Sequence, residues 1–92
     1  MKHRVVVTGM GVVTSLGTDI QTFWRNVRSG KSGVSRIDAF DTSEYTTKIA
    51  AEIKDWNAEP FGLDKKSIRK MDRFVQFGSA GSLMALRDSG LE

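Results

Sequence analysis

The chain has 92 residues, no cysteine and a formal net charge of +3. That length holds one small domain, which buries only about two-thirds of the surface its unfolded chain exposes. The missing thiols exclude disulfides, thiolate metal sites and a cysteine nucleophile within these residues.

Met1-Lys2-His3-Arg4 is basic, but the apolar run behind it is broken by Thr8 and Gly9. It is too short for a signal-peptide core or a membrane span, so a soluble, cytoplasmic chain is expected. Val5-Val6-Val7 and, after two glycines, Val12-Val13 read as a buried, interrupted strand. Gly9 and Gly11 fit a bulge or a close approach of another backbone, with no ligand required. A helix is expected over residues 19–29. Thr18 caps it with Gln21 three residues on, Ile20, Phe23, Trp24 and Val27 form its apolar stripe, and Gly30 ends it.

The segment SGKSGVSRIDAFDTSEY has no period and reads as a long loop. TTKIAAEIKDW alternates, with Ile49, Ala51 and Ile53 against Lys48, Glu52 and Lys54, and predicts a short half-exposed strand. A single long helix is expected over residues 64–89, with Asp64 as cap and Gly90 as stop. Its first half carries the apolar stripe Ile68, Met71, Phe74 and Val75. Its second half places Gly78, Ala80, Gly81, Ser82 and Ala85 where larger groups would normally stand. Each mid-helix glycine costs roughly 1 kcal/mol against alanine, so a tight approach by another buried backbone is expected there.

The pattern G-x-G in VVVTGMGVVTSLG raises the question of phosphate binding. The dinucleotide fingerprint needs a third glycine where Thr14 stands, a helix starting at once, and an acidic residue about twenty positions on. Val12 and Val13 favour an extended chain instead, and the later window is a loop. Gly30-Lys31-Ser32 ends like a P-loop, but Arg25 occupies the place of the required earlier glycine and the tripeptide follows a helix. A nucleotide-binding α/β domain is therefore the weakest reading, one that stabilisation by a dinucleotide would revive.

RVVVTGMGVVTSLG, GKSGV, FDTSEY, KIAAEIKDWN and KKSIRKMDRFVQFG, in this order, resemble the N-terminal segment of the β-ketoacyl-acyl carrier protein synthases, above all the type II elongating form. The nearest confusion is a polyketide ketosynthase. The resemblance covers essentially all of residues 1–92 and implies one partial domain with no internal boundary. It implies the strand-helix-strand-helix opening of a thiolase-like layered α/β/α/β/α fold, in a homodimeric enzyme. The implied reaction is decarboxylative Claisen condensation. A cysteine takes the acyl group from the carrier protein, malonyl-carrier protein loses carbon dioxide, and two histidines assist with backbone amides as an oxyanion hole. In the family that cysteine and both histidines fall beyond residue 92, and His3 matches neither. No catalytic residue is assigned here, no cofactor is implied, and the isolated chain is expected to be inactive in an acyltransferase assay.

Residues 65 to 73, KKSIRKMDR, hold five bases and one acid, so the positive charge of the whole chain originates there. In a continuous helix Lys66 with Lys70, Lys65 with Arg69, and Arg69 with Arg73 would set like charges side by side, and bases near a helix N-terminus oppose its dipole. One reading is a solvated face, partly paired with Asp64 or Asp72. The other comes from the resemblance. Acyl carrier proteins are acidic, and Lys66, Arg69 and Lys70 match positions of a basic docking patch, with Lys65 and Arg73 in the same run.

Trp24, Phe23, Phe74 and Phe77 are expected in the core, and Trp56 and Phe61 around Pro60 at a turn. His3 is expected to be a solvated surface residue. Asp38, Asp41 and Glu44 lack calcium-loop spacing, and no metal is expected. The rival class is a basic binding module for nucleic acid or an anionic membrane. It lacks aromatics interleaved with the cluster and any nucleic-acid motif, so neither partner is expected.

Overall fold

The computed structural model describes residues 2–91. They form two compact units: one joins the segment up to Val12 with the segment from Asn57 onward, and the other is Val13–Trp56.

In the unit Val13–Trp56, the helix α1 spans Ile20–Arg28. Its cap is Asp19, one residue later than expected, because the Asp19 backbone is extended and its carboxylate accepts from the Thr22 N–H at 2.8 Å. Gly30, at φ +75°, donates to the Val27 carbonyl, and Lys31 N–H reaches the Asn26 carbonyl at 3.0 Å. This pair of bonds ends the helix as a Schellman motif, which needs the left-handed conformation that glycine adopts without strain. The Asn26 side-chain amide donates to the Leu16 carbonyl at 2.5 Å and ties the helix to the turn before it.

The long loop contains a strand that the sequence did not announce. β1, Ser35–Arg36, pairs antiparallel with β2, Ile49–Ala50, setting Ser35 opposite Ala50 and Arg36 opposite Ile49. The half-exposed strand expected over residues 46–56 is only these two residues of β2. Ile49 and Ala51, on its expected inner face, are exposed, while Ala50 and Glu52 are half-buried. A two-stranded ribbon gives each strand one neighbour and leaves a face uncovered. Trp24, expected in the core, is 57% exposed for the same lack of a covering layer within the unit.

The other unit is built on helix α3, Arg73–Ser89, with the short helix α2, Lys65–Arg69, and a 3-10 turn, Glu59–Phe61, before it. Pro60 lies in the first positions of that turn and Gly62, at φ +104°, closes it, which bears out a turn at this place. Ala80 and Ala58 are its buried apolar residues.

The glycines of the opening stretch pack on α3. A Cβ on Gly9 would fall on the Ala85 carbonyl oxygen and 2.6 Å from the Ser89 nitrogen, and one on Gly11 would meet Gly81. The close approach expected at the small-residue helix is thus present, but it constrains Gly9 and Gly11. A Cβ on Gly78 or Gly81 meets nothing within 4 Å.

Two expectations fail in this unit. Val5–Val7 form no strand and are exposed, Val5 by 92%. A β-branched run is buried only when neighbouring strands and a covering layer take it up, and among the described residues no strand pairs with it. The single helix over 64–89 is broken between α2 and α3, because Asp72 is extended (φ −67°, ψ 161°).

Candidate partner-binding surface

The break decides how the basic run is displayed. Asp64 caps α2 by accepting from the Ser67 N–H at 2.7 Å, and this bond holds the Asp64 carboxyl below the usual aspartate range. The Lys70 N–H donates back to the Ser67 carbonyl at 3.1 Å and Met71 N–H to the Ile68 carbonyl, which closes α2 after five residues. Arg69 therefore stands at the C-terminal end of a short helix, where a cation favours the dipole, while Lys65 and Lys66 lie at its N-terminal end beside the Asp64 cap. The expected stacking of Arg69 on Arg73 within one helix is removed, since Lys70 caps α2 and Arg73 begins α3, whereas Lys65 and Arg69 keep their i, i+4 relation inside α2. Asp72, a good N-cap residue in the middle of the run, was the sequence signal for this break.

Lys65, Lys66, Arg69, Lys70 and Arg73 are all exposed. Lys65 lies 4.0 Å from the Glu59 carboxylate, a pairing the sequence reading did not contain. The Arg73 guanidinium lies over the Phe77 ring, 5.4 Å from its centroid. Lys66, Arg69 and Lys70 make no ion pair among the described residues, and neither Asp64 nor Asp72 pairs with them. Phe74, expected in the core, is 73% exposed at the start of α3.

A concave feature lies within the unit Val13–Trp56. It is an open groove between residues 14–19 and 31–35, with Glu52 and Lys54 on its wall. Most of its charged groups are committed to structure. Asp19 caps α1, and the Thr22 backbone bond keeps its carboxyl below the usual range. Glu52 accepts from the Asp38 and Ala39 N–H groups at 2.9 and 3.2 Å. Lys54 pairs with Asp38 at 2.5 Å, which raises its ammonium above the usual lysine value. No histidine lines this groove. Of the three loop carboxylates weighed for metal, Asp38 is in that ion pair and Asp41 accepts from Ser43 N–H at 3.0 Å. His3 is exposed, as expected.

Residues 2–92 match the family model described as beta-ketoacyl synthase, N-terminal domain. Over 91 residues the chain is 50% identical to 3-oxoacyl-[acyl-carrier-protein] synthase 2 of Coxiella burnetii. It is 43% identical over 91 residues to the enzyme of the same name from Vibrio cholerae. Each alignment covers 99% of this chain and 22% of the relative, so the chain spans about a fifth of the length of the proteins it matches. Among solved structures, the ishigamide ketosynthase/chain length factor superposes with a TM-score of 0.81 at 31% identity, covering 95% of this chain and 21% of that one. The fold is that of an N-terminal piece of an α/β ketosynthase, and the chain belongs to the β-ketoacyl synthase N-terminal domain family.

Proposed function

We propose that this chain is the N-terminal part of a β-ketoacyl-acyl carrier protein synthase of fatty acid elongation, and that its two units belong to one partial ketosynthase domain. In the whole enzyme, a homodimer of the cytoplasm, a cysteine thiolate attacks the acyl thioester and releases the carrier thiol. Malonyl-carrier protein then loses carbon dioxide, and the resulting carbanion attacks the enzyme-bound acyl group, forming the carbon-carbon bond and freeing the cysteine. Residues 1–92 contain no cysteine and a single histidine, so that chemistry is not theirs. Among the described residues no helix is long and apolar enough to cross a membrane. The 43–50% identity to the two 3-oxoacyl-[acyl-carrier-protein] synthases supports the fatty acid elongation reading.

The role of these residues is to receive the acidic carrier protein on Lys66, Arg69 and Lys70, flanked by Lys65 and Arg73. The observation that carries this reading is that three exposed cations stand in one short run and make no ion pair among the described residues. Such a patch raises the association rate and loses strength as salt screens it over about 10 Å at 0.1 M. The test is the triple variant Lys66→Glu, Arg69→Glu, Lys70→Glu in the full-length enzyme. It raises the KM for acyl-carrier substrate at low salt, and an unchanged KM there ends the reading.

A further inference from the structure

Residues 42–48 wrap their own backbone around one positive charge. Lys48 is fixed at the edge of the ribbon, where its carbonyl accepts from the Ile37 N–H at 2.9 Å just before β2, and its half-buried side chain runs back into the loop. There the ammonium donates to the carbonyl oxygens of Thr42, at 2.5 Å, of Ser43, at 3.3 Å, and of Tyr45. Thr42 is buried, and its carbonyl also accepts from the Tyr45 N–H at 3.0 Å, so the turn that supplies the oxygens is closed on itself.

No carboxylate takes part. Lys48 makes no ion pair among the described residues, and the Asp41 carboxylate is bonded to the Ser43 N–H. Carbonyl oxygens that converge on one point repel one another unless a donor or a cation lies between them. Neutral carbonyls in such a cluster can replace the hydration shell of a potassium ion, which is close in size to an ammonium head, whereas calcium and magnesium draw carboxylates or keep their water. We propose that residues 42–48 form a monovalent-cation site whose resident cation is the Lys48 ammonium, and that the same carbonyls bind a potassium ion once the ammonium is removed. Lys48 thus stands in for a dissociable ion. It fixes the loop, and with it the edge-packed Phe40 and Tyr45 rings, whatever salt surrounds the protein. The inference makes no use of the basic run or of its carrier-protein reading.

The test uses the full-length synthase with Lys48→Ala, which empties the site, and Lys48→Met, whose stem still fills the approach to it. Deuterium exchange at the Tyr45 amide is followed at one pH and ionic strength in tetramethylammonium chloride, whose cation is too bulky to enter, and in potassium, propylammonium and magnesium chlorides. In tetramethylammonium both variants exchange about tenfold faster than the parent protein, the scale of one lost charge-assisted bond. Potassium and propylammonium slow Lys48→Ala back toward the parent rate in a saturable way, magnesium does not, and the parent protein and Lys48→Met are indifferent to the cation. Parent-like exchange in Lys48→Met shows that the loop needs no cation and overturns the proposal even where Lys48→Ala does not fold. Equal exchange of Lys48→Ala in all four salts overturns it as well. Rescue by propylammonium alone removes the potassium site, and stronger rescue by magnesium than by potassium removes the monovalent assignment; either result rejects the proposal.

Discussion

Gly11 lies against Gly81: a Cβ added to Gly11 would sit 2.9 Å from the Gly81 carbonyl carbon and 3.1 Å from the Ala85 nitrogen. The neighbours are backbone atoms of α3, which cannot step aside as the tip of a flexible side chain does. Gly11→Ala therefore destabilises the chain by about 1–3 kcal/mol, the usual cost of overpacking. Gly78→Ala has the opposite sign, about 1 kcal/mol of stabilisation, because its Cβ meets nothing within 4 Å and glycine is a poor helix former. Urea denaturation of the two variants side by side checks the contrast, and a common sign would refute it.

Helix α1 depends on the ionised Asp19. The Thr22 N–H bonds the carboxylate, and the folded-state value lies below the unfolded one. The stabilisation is therefore complete above the unfolded aspartate pKa and disappears as pH falls through the lowered folded value. Asp19→Ala costs about 1 kcal/mol at neutral pH. Asp19→Asn, which still accepts the bond, keeps most of that stability and flattens the acid limb of a far-UV circular dichroism titration. The same sign holds for Asp64 and α2.

Lys48 holds a loop by its carbonyls. Its ammonium donates to the Thr42 oxygen at 2.5 Å, to the Ser43 oxygen at 3.3 Å and to the Tyr45 oxygen. Thr42 is buried and also accepts from the Tyr45 N–H at 3.0 Å. Lys48→Met keeps the aliphatic stem and removes all three donors. The Tyr45 amide then exchanges with deuterium about tenfold faster, the scale of one lost charge-assisted bond. Unchanged exchange would show that the turn holds without the lysine.

Val5–Val7 are exposed and, among the described residues, pair with no strand, and Lys2 and Arg4 stand just before them. An uncovered β-branched run of this kind is a template for pairing with another chain. The 92-residue chain self-associates in a concentration-dependent way, and Val6→Lys suppresses it. Antiparallel pairing centred on Val6 sets Arg4 opposite Thr8, while parallel pairing in register sets Arg4 against Arg4, so the antiparallel form is favoured. Sedimentation over a concentration series checks this, and a monomer at all concentrations rejects it.

What the sequence determined by itself was local. The capping of α2 by Asp64, the stops at Gly30 and Gly90, and the turn at Pro60 depend on groups within a few residues, so those residues suffice to specify them. Even there Thr18 and Asp19 competed for one cap, and only the backbone conformation at Asp19 settled it. The family was legible too, because five stretches in order carry more information than any one of them.

Only the tertiary structure decided the rest. That Gly9 and Gly11, not Gly78 and Gly81, require the absence of a side chain follows from which surface faces the neighbouring backbone, and one helix or loop in isolation does not define that. Ile49 and Val5–Val7 read as inward because their residue types want burial, yet burial needs a covering layer, and none lies over them within their units. The break at Asp72 turned a long helix with stacked charges into two elements. It put Arg69 in the last turn of α2 and Arg73 at the start of α3, because the extended backbone at Asp72 ends the helical path between them.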